Sequence, residues 1–413
     1  MKKNPLDIFI FISIFFILII FLLEIINLSA IFFSSHNNQS DNSESVNLNL
    51  ESNLTENQLV SSSDLLTQNQ ENFQNSYATI SVIGDIMCHN TQFKDAYTTD
   101  GTYNFLPFFD YIKDYISISD IAIGNLETTF AGSKKGYSGY PNFNTPEELA
   151  YNLKDIGFDI LTTANNHSLD TGYQGLVNTI NILNDANILH TGTATSQEEK
   201  NKILIQEVNG IKFAFLAYTY GTNGNPIPKG KDYCINLIDQ DFILSQIEQA
   251  KNENCDIICA SMHWGEEYNS IPSQEQLDLT DFLFQNGVDI ILGSHPHVLQ
   301  KMEKRNITLS DGTSKDCFVI YSLGNFMSGQ NNENTRNSII LNLTISKSNT
   351  DTQISNISYI PIYTYTYPNY KNYKILDLQK SIFDYENGID TSMPKVNYLV
   401  LKSELEKINN LMK

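Results

Sequence analysis

The sequence predicts an α/β protein built on a mixed β-sheet and preceded by a membrane-spanning helix. Three observations carry that prediction. Short apolar runs alternate with segments of helical period between residues 79 and 321, Asn209-Gly210 separates two apolar runs as a two-residue hairpin does, and a long apolar stretch opens the chain. Alternation of strand and helix is the pattern of α/β folds. The Asn-Gly turn makes at least one strand pair antiparallel, so the sheet is mixed.

The N-terminal stretch covers sixteen residues, 8–23, and after Glu24 continues to Phe33. That meets the roughly 20 residues needed to cross a bilayer. Lys2 and Lys3 precede it, which keeps a seven-residue tip, 1–7, cytoplasmic and sends the rest of the chain outside. The competing reading is a cleaved signal peptide, for which the run is long and Leu28-Ser29-Ala30 is a poor cleavage site. Residues 34–77 are rich in Asn, Ser, Gln and Glu without period, and read as a disordered polar linker.

Beyond the linker, residues 79–83, 121–123, 158–163, 212–217, 256–262, 288–292 and 318–321 read as buried strands, and 203–208 with 211–218 as the hairpin. Segments 146–156, 173–186, 239–253 and 273–286 have the helix period, with Pro146 suited to an early helical position and Gly157 and Gly287 to C-terminal stops. After residue 338 the pattern becomes β-rich (338–345 and 352–362) and closes with a helix at 398–412; this part, 338–413, is expected as a C-terminal extension of a domain spanning 78–337.

Composition narrows the function. Lys and Arg number 26 against 47 Asp and Glu, a formal charge of -21. Nucleic-acid binding is not expected, because phosphate neutralisation needs clustered bases. Removing residues 1–33 takes away two bases and two acids, so the whole imbalance faces outward. The five Cys, an odd number without zinc-type spacing, read as buried thiols. No P-loop motif occurs, so energy for polymer assembly would come from another protein.

The polar residues fall at strand ends. Asp85 follows the first strand, Asn125 and Glu127 the second, and Asn165-Asn166-His167 the third; His263 follows strand 256–262, and His295-Pro296-His297 follows 288–292. Carboxyl ends of strands are where open α/β sheets bind ligands. Five of the seven His (His89, His167, His263, His295 and His297) lie in or beside these clusters. Oxygen and imidazole donors without thiolate suit Mn, Fe or Zn, as one ion or two. Taken singly, each of these residues reads more readily as a helix cap or a loop contact than as a ligand.

Six motifs then occur in order: Gly84-Asp85-Ile86-Met87, Gly124-Asn125-Leu126-Glu127, Ala164-Asn165-Asn166-His167-Ser168-Leu169-Asp170-Thr171-Gly172, His263-Trp264-Gly265-Glu266-Glu267-Tyr268, Gly293-Ser294-His295-Pro296-His297 and Tyr321-Ser322-Leu323-Gly324-Asn325-Phe326. The series resembles the CapA family of capsule and poly-γ-glutamate biosynthesis proteins, which is related to the calcineurin-like metallophosphoesterases. The resemblance implies a four-layer sandwich, two β-sheets face to face with helices outside. It also implies a membrane-anchored, outward-facing protein that works with other capsule-synthesis membrane proteins to make, export or tether an anionic polymer such as poly-γ-glutamate.

By the same resemblance Asp85 and His297 are ligands of a first metal, Glu127 is a bridging carboxylate, Asn166 is the amide ligand, and His263 and His295 are ligands of a second metal. His167 is the general acid of a metal-dependent phosphoesterase or amidase, the alternative function. Where the related pattern Asp-x-His has its His, this chain has Met87, and His89 would substitute only if the chain turns. Asn125, Glu267, Tyr268 and Asn325 are expected beside the substrate, though Glu267 also reads as a solvated acid and Asn325 as a loop anchor. Asp170 is expected to cap the helix that follows, Trp264 to pack, and the loop 137–143 to cover the site.

Overall fold

A computed structural model describes residues 75–413 apart from 310, 311, 350 and 369. The tip 1–7, the membrane-spanning run 8–33 and the linker as far as residue 74 lie outside the described residues. Among the described residues no helix is long and apolar enough to cross a membrane.

In chain order the elements are β1 (Ser76–Ile86), α1 (Asn90–Ala96), α2 (Lys113–Ser117), β2 (Ile121–Leu126), α3 (Glu148–Asp155), β3 (Ile160–Thr162), α4 (Gly172–Asp185), β4 (Leu189–Thr191), α5 (Gln197–Lys200), β5 (Leu204–Val208), β6 (Ile211–Thr219), α6 (Gln240–Asn252), β7 (Ile257–His263), α7 (Gln274–Asn286), β8 (Ile290–Ser294), β9 (Met302–Thr308), β10 (Ser314–Ile320), β11 (Asn325–Met327), β12 (Asn337–Lys347), β13 (Thr352–Tyr365), β14 (Lys374–Asp377), α8 (Leu378–Glu386) and α9 (Lys395–Leu411). One sheet runs β14-β13-β12-β1-β2-β3-β4, with β11 paired to β1; the other runs β5-β6-β7-β8-β10-β9. Both are mixed: β1, β2, β3 and β4 are parallel, as are β6, β7, β8 and β10, while β12 and β5 run against their neighbours.

Alternation along the strands explains the layering. Ile80 and Val82 of β1 and Ile121 and Ile123 of β2 share one core with Phe213 and Phe215 of β6, Ile257 of β7 and Ile290 and Leu292 of β8, which places the sheets face to face. Residues pointing the other way from the first sheet, such as Ala122 and Leu161, meet Phe93 of α1, Ile116 of α2 and Leu149 and Leu153 of α3. Ala214, Ile258 and Ile291 of the second sheet meet Ile243 and Ile247 of α6 and Leu279 and Leu283 of α7. The protein is thus a mixed α/β fold with two sheets flanked by helices. Each buried Ile, Leu or Phe contributes about 1.5–3 kcal/mol by leaving water.

Local signals set the boundaries. Asn209 and Gly210 have φ of 52° and 77°, the left-handed pair that a two-residue hairpin requires. Asp239 accepts from the Phe242 amide and Ser273 from Gln276, so both caps follow the side-chain chemistry expected of them. Gly287 ends α7 at φ 114°. Pro146 stands just before α3 and accepts from the Leu149 amide through its carbonyl.

Two boundaries differ from expectation. β1 starts inside the predicted linker, because Ser76 and Tyr77 pair with Lys347 and Ser346 of β12. The segment after 338, expected as an extension, supplies β12 directly beside β1, and Leu401 and Ile408 of α9 enter the core between the sheets.

Candidate metal centre

The carboxyl ends of β1, β2 and β3 from one sheet and of β7 and β8 from the other converge. Parallel pairing sets this up: in register, His263 at the end of β7 lies beside Ser294 at the end of β8, and Asp85 lies beside Asn125. Two close backbone approaches close the cleft floor. A Cβ on Gly84 would fall 2.0 Å from the Gly324 carbonyl oxygen, and one on Gly293 1.9 Å from that of Tyr321. Only glycine permits those approaches.

Asp85, Glu127, Asn166, His263, His295 and His297 are all buried and come together there. Asp85 Oδ2 lies 3.0 Å from His297 Nδ1, so that nitrogen donates and Nε2 keeps its lone pair toward Glu127, 3.8 Å from Oε1. His263 Nε2 is 3.6 Å from the same Oε1 and 2.9 Å from Asn166 Oδ1, while its Nδ1 is 3.0 Å from Ser294 Oγ. Three groups, Glu127–His263–His295, Glu267–His295–His297 and Asp85–Glu127–His297, each hold their donor atoms within 4.8 Å of one another.

The electrostatics fit a cation. Glu127 Oε1 and His295 Nδ1 are buried without a hydrogen-bond partner. Such atoms cost about 1–3 kcal/mol each when left unsatisfied. Burial, then the charges of Asp85, Glu267 and Asp170, push the Glu127 carboxyl well above the usual range. Burial and neighbouring imidazoles hold His263 far below the ordinary value and His295 at about 3, so both rings are neutral and offer lone pairs. Ligand atoms around a tetrahedral ion lie roughly 3.4 Å apart, close to the distances at Glu127 that are too long for hydrogen bonds. Divalent ions of the Mn, Fe or Zn kind match this donor set.

Other expected residues have more specific partners. Asn125 donates to Asp85 Oδ1 at 2.8 Å and approaches Glu127 Oε2 at 3.4 Å, so its amide spaces the two carboxylates. Asn325 donates to Gln330 and to the Thr335 carbonyl, tying the loop after β11. Tyr268 and Glu267 stand exposed at the mouth, the Tyr268 ring 6.2 Å from that of His297. Trp264 packs as expected, its indole N–H donating to the Tyr321 carbonyl. Met87 is buried, and His89 accepts from the Gly329 amide and joins none of the three groups. Four of the five Cys are buried and Cys255 is half-buried, all as free thiols. His190 sits apart, 4.0 Å from Glu199.

Asp170 does not cap α4. The N-cap is Thr171, and Asp170 Oδ2 instead lies 2.7 Å from His167 Nδ1 and accepts from the Phe143 amide. This fixes the His167 tautomer with the proton on Nδ1 and Nε2 accepting from the Asn223 side-chain amide, 3.4 Å away, and Phe143 from the 137–143 loop packs edge-on to the ring. The helix starts one residue later than a cap at Asp170 requires, and the buried imidazole is the stronger partner. Sequence reasoning also missed Asn223, which accepts from Asn166, and Tyr220, whose ring lies 4.7 Å from that of His295. The His-x-x-Asp spacing was a usable signal for Asp170; the loop after β6 carries none.

Comparison with known proteins follows the same ground. Capsule biosynthesis protein CapA of Bacillus anthracis is 31% identical over 277 residues, 65% of this chain and 64% of that protein. PGA biosynthesis protein CapA of Bacillus subtilis strain 168 is 32% identical over 245 residues, 59% of this chain and 62% of that protein. The chain therefore spans just under two thirds of the relatives it matches. Among solved structures, the calcineurin-like phosphoesterase YfkN from Bacillus subtilis aligns over 70% of this chain and 91% of that chain at 14% identity and a TM-score of 0.40. The model of the family described as bacterial capsule synthesis protein PGA_cap matches residues 79–330, which takes in all six motifs and every strand end that builds the cleft. The chain belongs to that family.

Proposed function

We propose that this protein is a membrane-anchored, outward-facing component of capsule synthesis whose cleft holds one or two divalent ions and engages an anionic polymer of the poly-γ-glutamate kind. The observation that carries the reading is the meeting of Asp85, Glu127, Asn166, His263, His295 and His297 from both sheets around buried donor atoms that lack protein partners. The names of the relatives support the polymer class, and the apolar run 8–33 supports the anchor. A chain with a formal charge of -21 repels a polyanion unless cations intervene. Bound ions would reverse the local sign and hold carboxylate or phosphate oxygens. The chain's own residues would orient that contact: Asn125 separates the carboxylates, and Tyr220 and Tyr268 wall the mouth.

Deletion of the gene tests the reading in a capsulated host. Loss of surface polymer is expected, with return on complementation by the wild-type chain but not by His295→Ala. Intact polymer after deletion rejects it.

A second reading, a metal-dependent hydrolase of a phosphoester or amide in the envelope, is favoured by one observation, the His167–Asp170 pair beside the donor cluster. Asp170 would accept from Nδ1 and stabilise the imidazolium form of the ring, whose Nε2–H would pass its proton to a leaving group. Turnover of a generic phosphodiester with added Mn, lost in His167→Ala, is expected under this reading; no turnover with any of Mn, Fe or Zn rejects it.

A further inference from the structure

We propose that Glu267 is a metal ligand that joins His295 and His297 at the mouth of the cleft, and that the chain thereby holds a second divalent ion. The proposal rests on the metal-centre reading above. On the Asp85 side of the cleft, the inward-facing donors are Asp85, Glu127 and His297, one short of a closed tetrahedral set. Met87 offers only a thioether, and that sulfur lies 4.0 Å from Ser328 Oγ. His89 is engaged at Nδ1 by the Gly329 amide and packs edge-on against Phe143. Neither residue closes the set.

Glu267 comes from the other sheet. Its carboxylate, His295 and His297 hold donor atoms within 4.8 Å of one another. The turn that carries it is built for the position. Gly265 at φ 85° and Tyr268 at φ 63° bend the chain back over the site. The Trp264 amide donates to the Ser294 carbonyl at 3.2 Å and the Tyr268 amide to the Pro296 carbonyl at 2.8 Å, which pins the turn to the His295-Pro296-His297 loop. Independently of that geometry, His295 Nδ1, in the same group as Glu267, is a buried atom without a hydrogen-bond partner. At this position the carboxylate adds an oxygen donor to the imidazoles of His295 and His297. Exposure of Glu267 also gives an ion a route in from solvent.

The test uses the full chain purified in detergent, stripped with chelator and reloaded with Mn alone. Bound Mn is counted by elemental analysis and its spin coupling read by electron paramagnetic resonance. The wild type is expected to hold two coupled ions. Glu267→Gln is expected to hold one uncoupled ion, with the second at least tenfold weaker, while Glu266→Gln, altering the neighbouring acid outside the cluster, keeps two. Melting curves of both variants establish that they are folded. Two ions at wild-type affinity in Glu267→Gln overturn the proposal, as does equal loss in Glu266→Gln, which would assign the effect to bulk charge. A single ion in the wild type, unchanged in Glu267→Gln, overturns it too. A wild-type chain that binds no ion rejects the metal centre itself, a separate result.

Discussion

Glu127 is the residue at which folding and function pull in opposite directions. Its carboxyl is fully buried, one oxygen has no partner, and Asp85 lies nearby with the same charge. Glu127→Gln removes the charge and keeps the shape, so it should stabilise the metal-free protein by about 1–2 kcal/mol, a rise of a few degrees in melting temperature. The same change should abolish metal-induced stabilisation, and thermal melts with and without Mn read both effects. Titration supplies a second expectation. His89, His263 and His295 sit below the ordinary value of 6.5 in the folded chain, mainly through burial. The unfolded chain then binds more protons at these sites, so their stability is present above about pH 6.5 and lost as pH falls through it. Glu127, raised, opposes them by favouring the folded state as pH falls. Three imidazoles against one carboxyl leave a net uptake of protons on unfolding below about pH 6.5. The melting temperature of chelator-treated protein should fall between pH 7 and pH 5; a flat or rising profile contradicts the assignment. At this scale the sequence shows donors well and partners poorly. His295 was visible as a donor, but its empty Nδ1 depends on neighbours from the other sheet.

Elements with strong period were legible. Strands β1, β2, β6, β7 and β8 and helices α3, α4, α6 and α7 follow from runs of Ile, Val and Phe or from helix spacing, and their boundaries shift by at most three residues. Short elements were not. β4 and β11 are three residues long, and β9, with the sequence MEKRNIT, carries too little apolar character to stand out and exists through its pairing with β10. The site inherits its precision from the legible elements and its closeness from glycine. Gly293→Ala places a methyl group 1.9 Å from the Tyr321 carbonyl oxygen, which also accepts from Trp264 and Gln276. β8 must move away from β10, carrying His295 and His297 with it. A loss of about 3 kcal/mol in stability and at least tenfold in metal affinity is expected, read by denaturant unfolding and Mn titration.

Across the whole molecule, donors from two separate sheets make a bound ion a cross-connection. Asp85, Glu127 and Asn166 belong to one sheet, and His263, His295 and His297 to the other. Metal should therefore stabilise global folding: at 100 times its dissociation constant, about 2.7 kcal/mol. Chelation should lower the melting temperature by several degrees, and re-addition of Mn should restore it; no change on chelation argues against a site spanning both sheets. The assembly of this centre was readable only as an ordered set of strand-end motifs, since no local sequence feature states that two sheets will face each other.

β1 lies in the middle of its sheet, paired with β12 over residues 76–82 and with β2 over 80–86, and begins at Ser76 immediately after the polar segment. Any tension arriving from the preceding chain enters along that strand. The hydrogen bonds to β12 run across the pull and take the load in shear from Ser76, joined by those to β2 from Ile80 onward. The end of the strand that takes the load is also the one farthest from Asp85. Force on the chain would thus enter through an interior strand, at the end remote from the donor cluster.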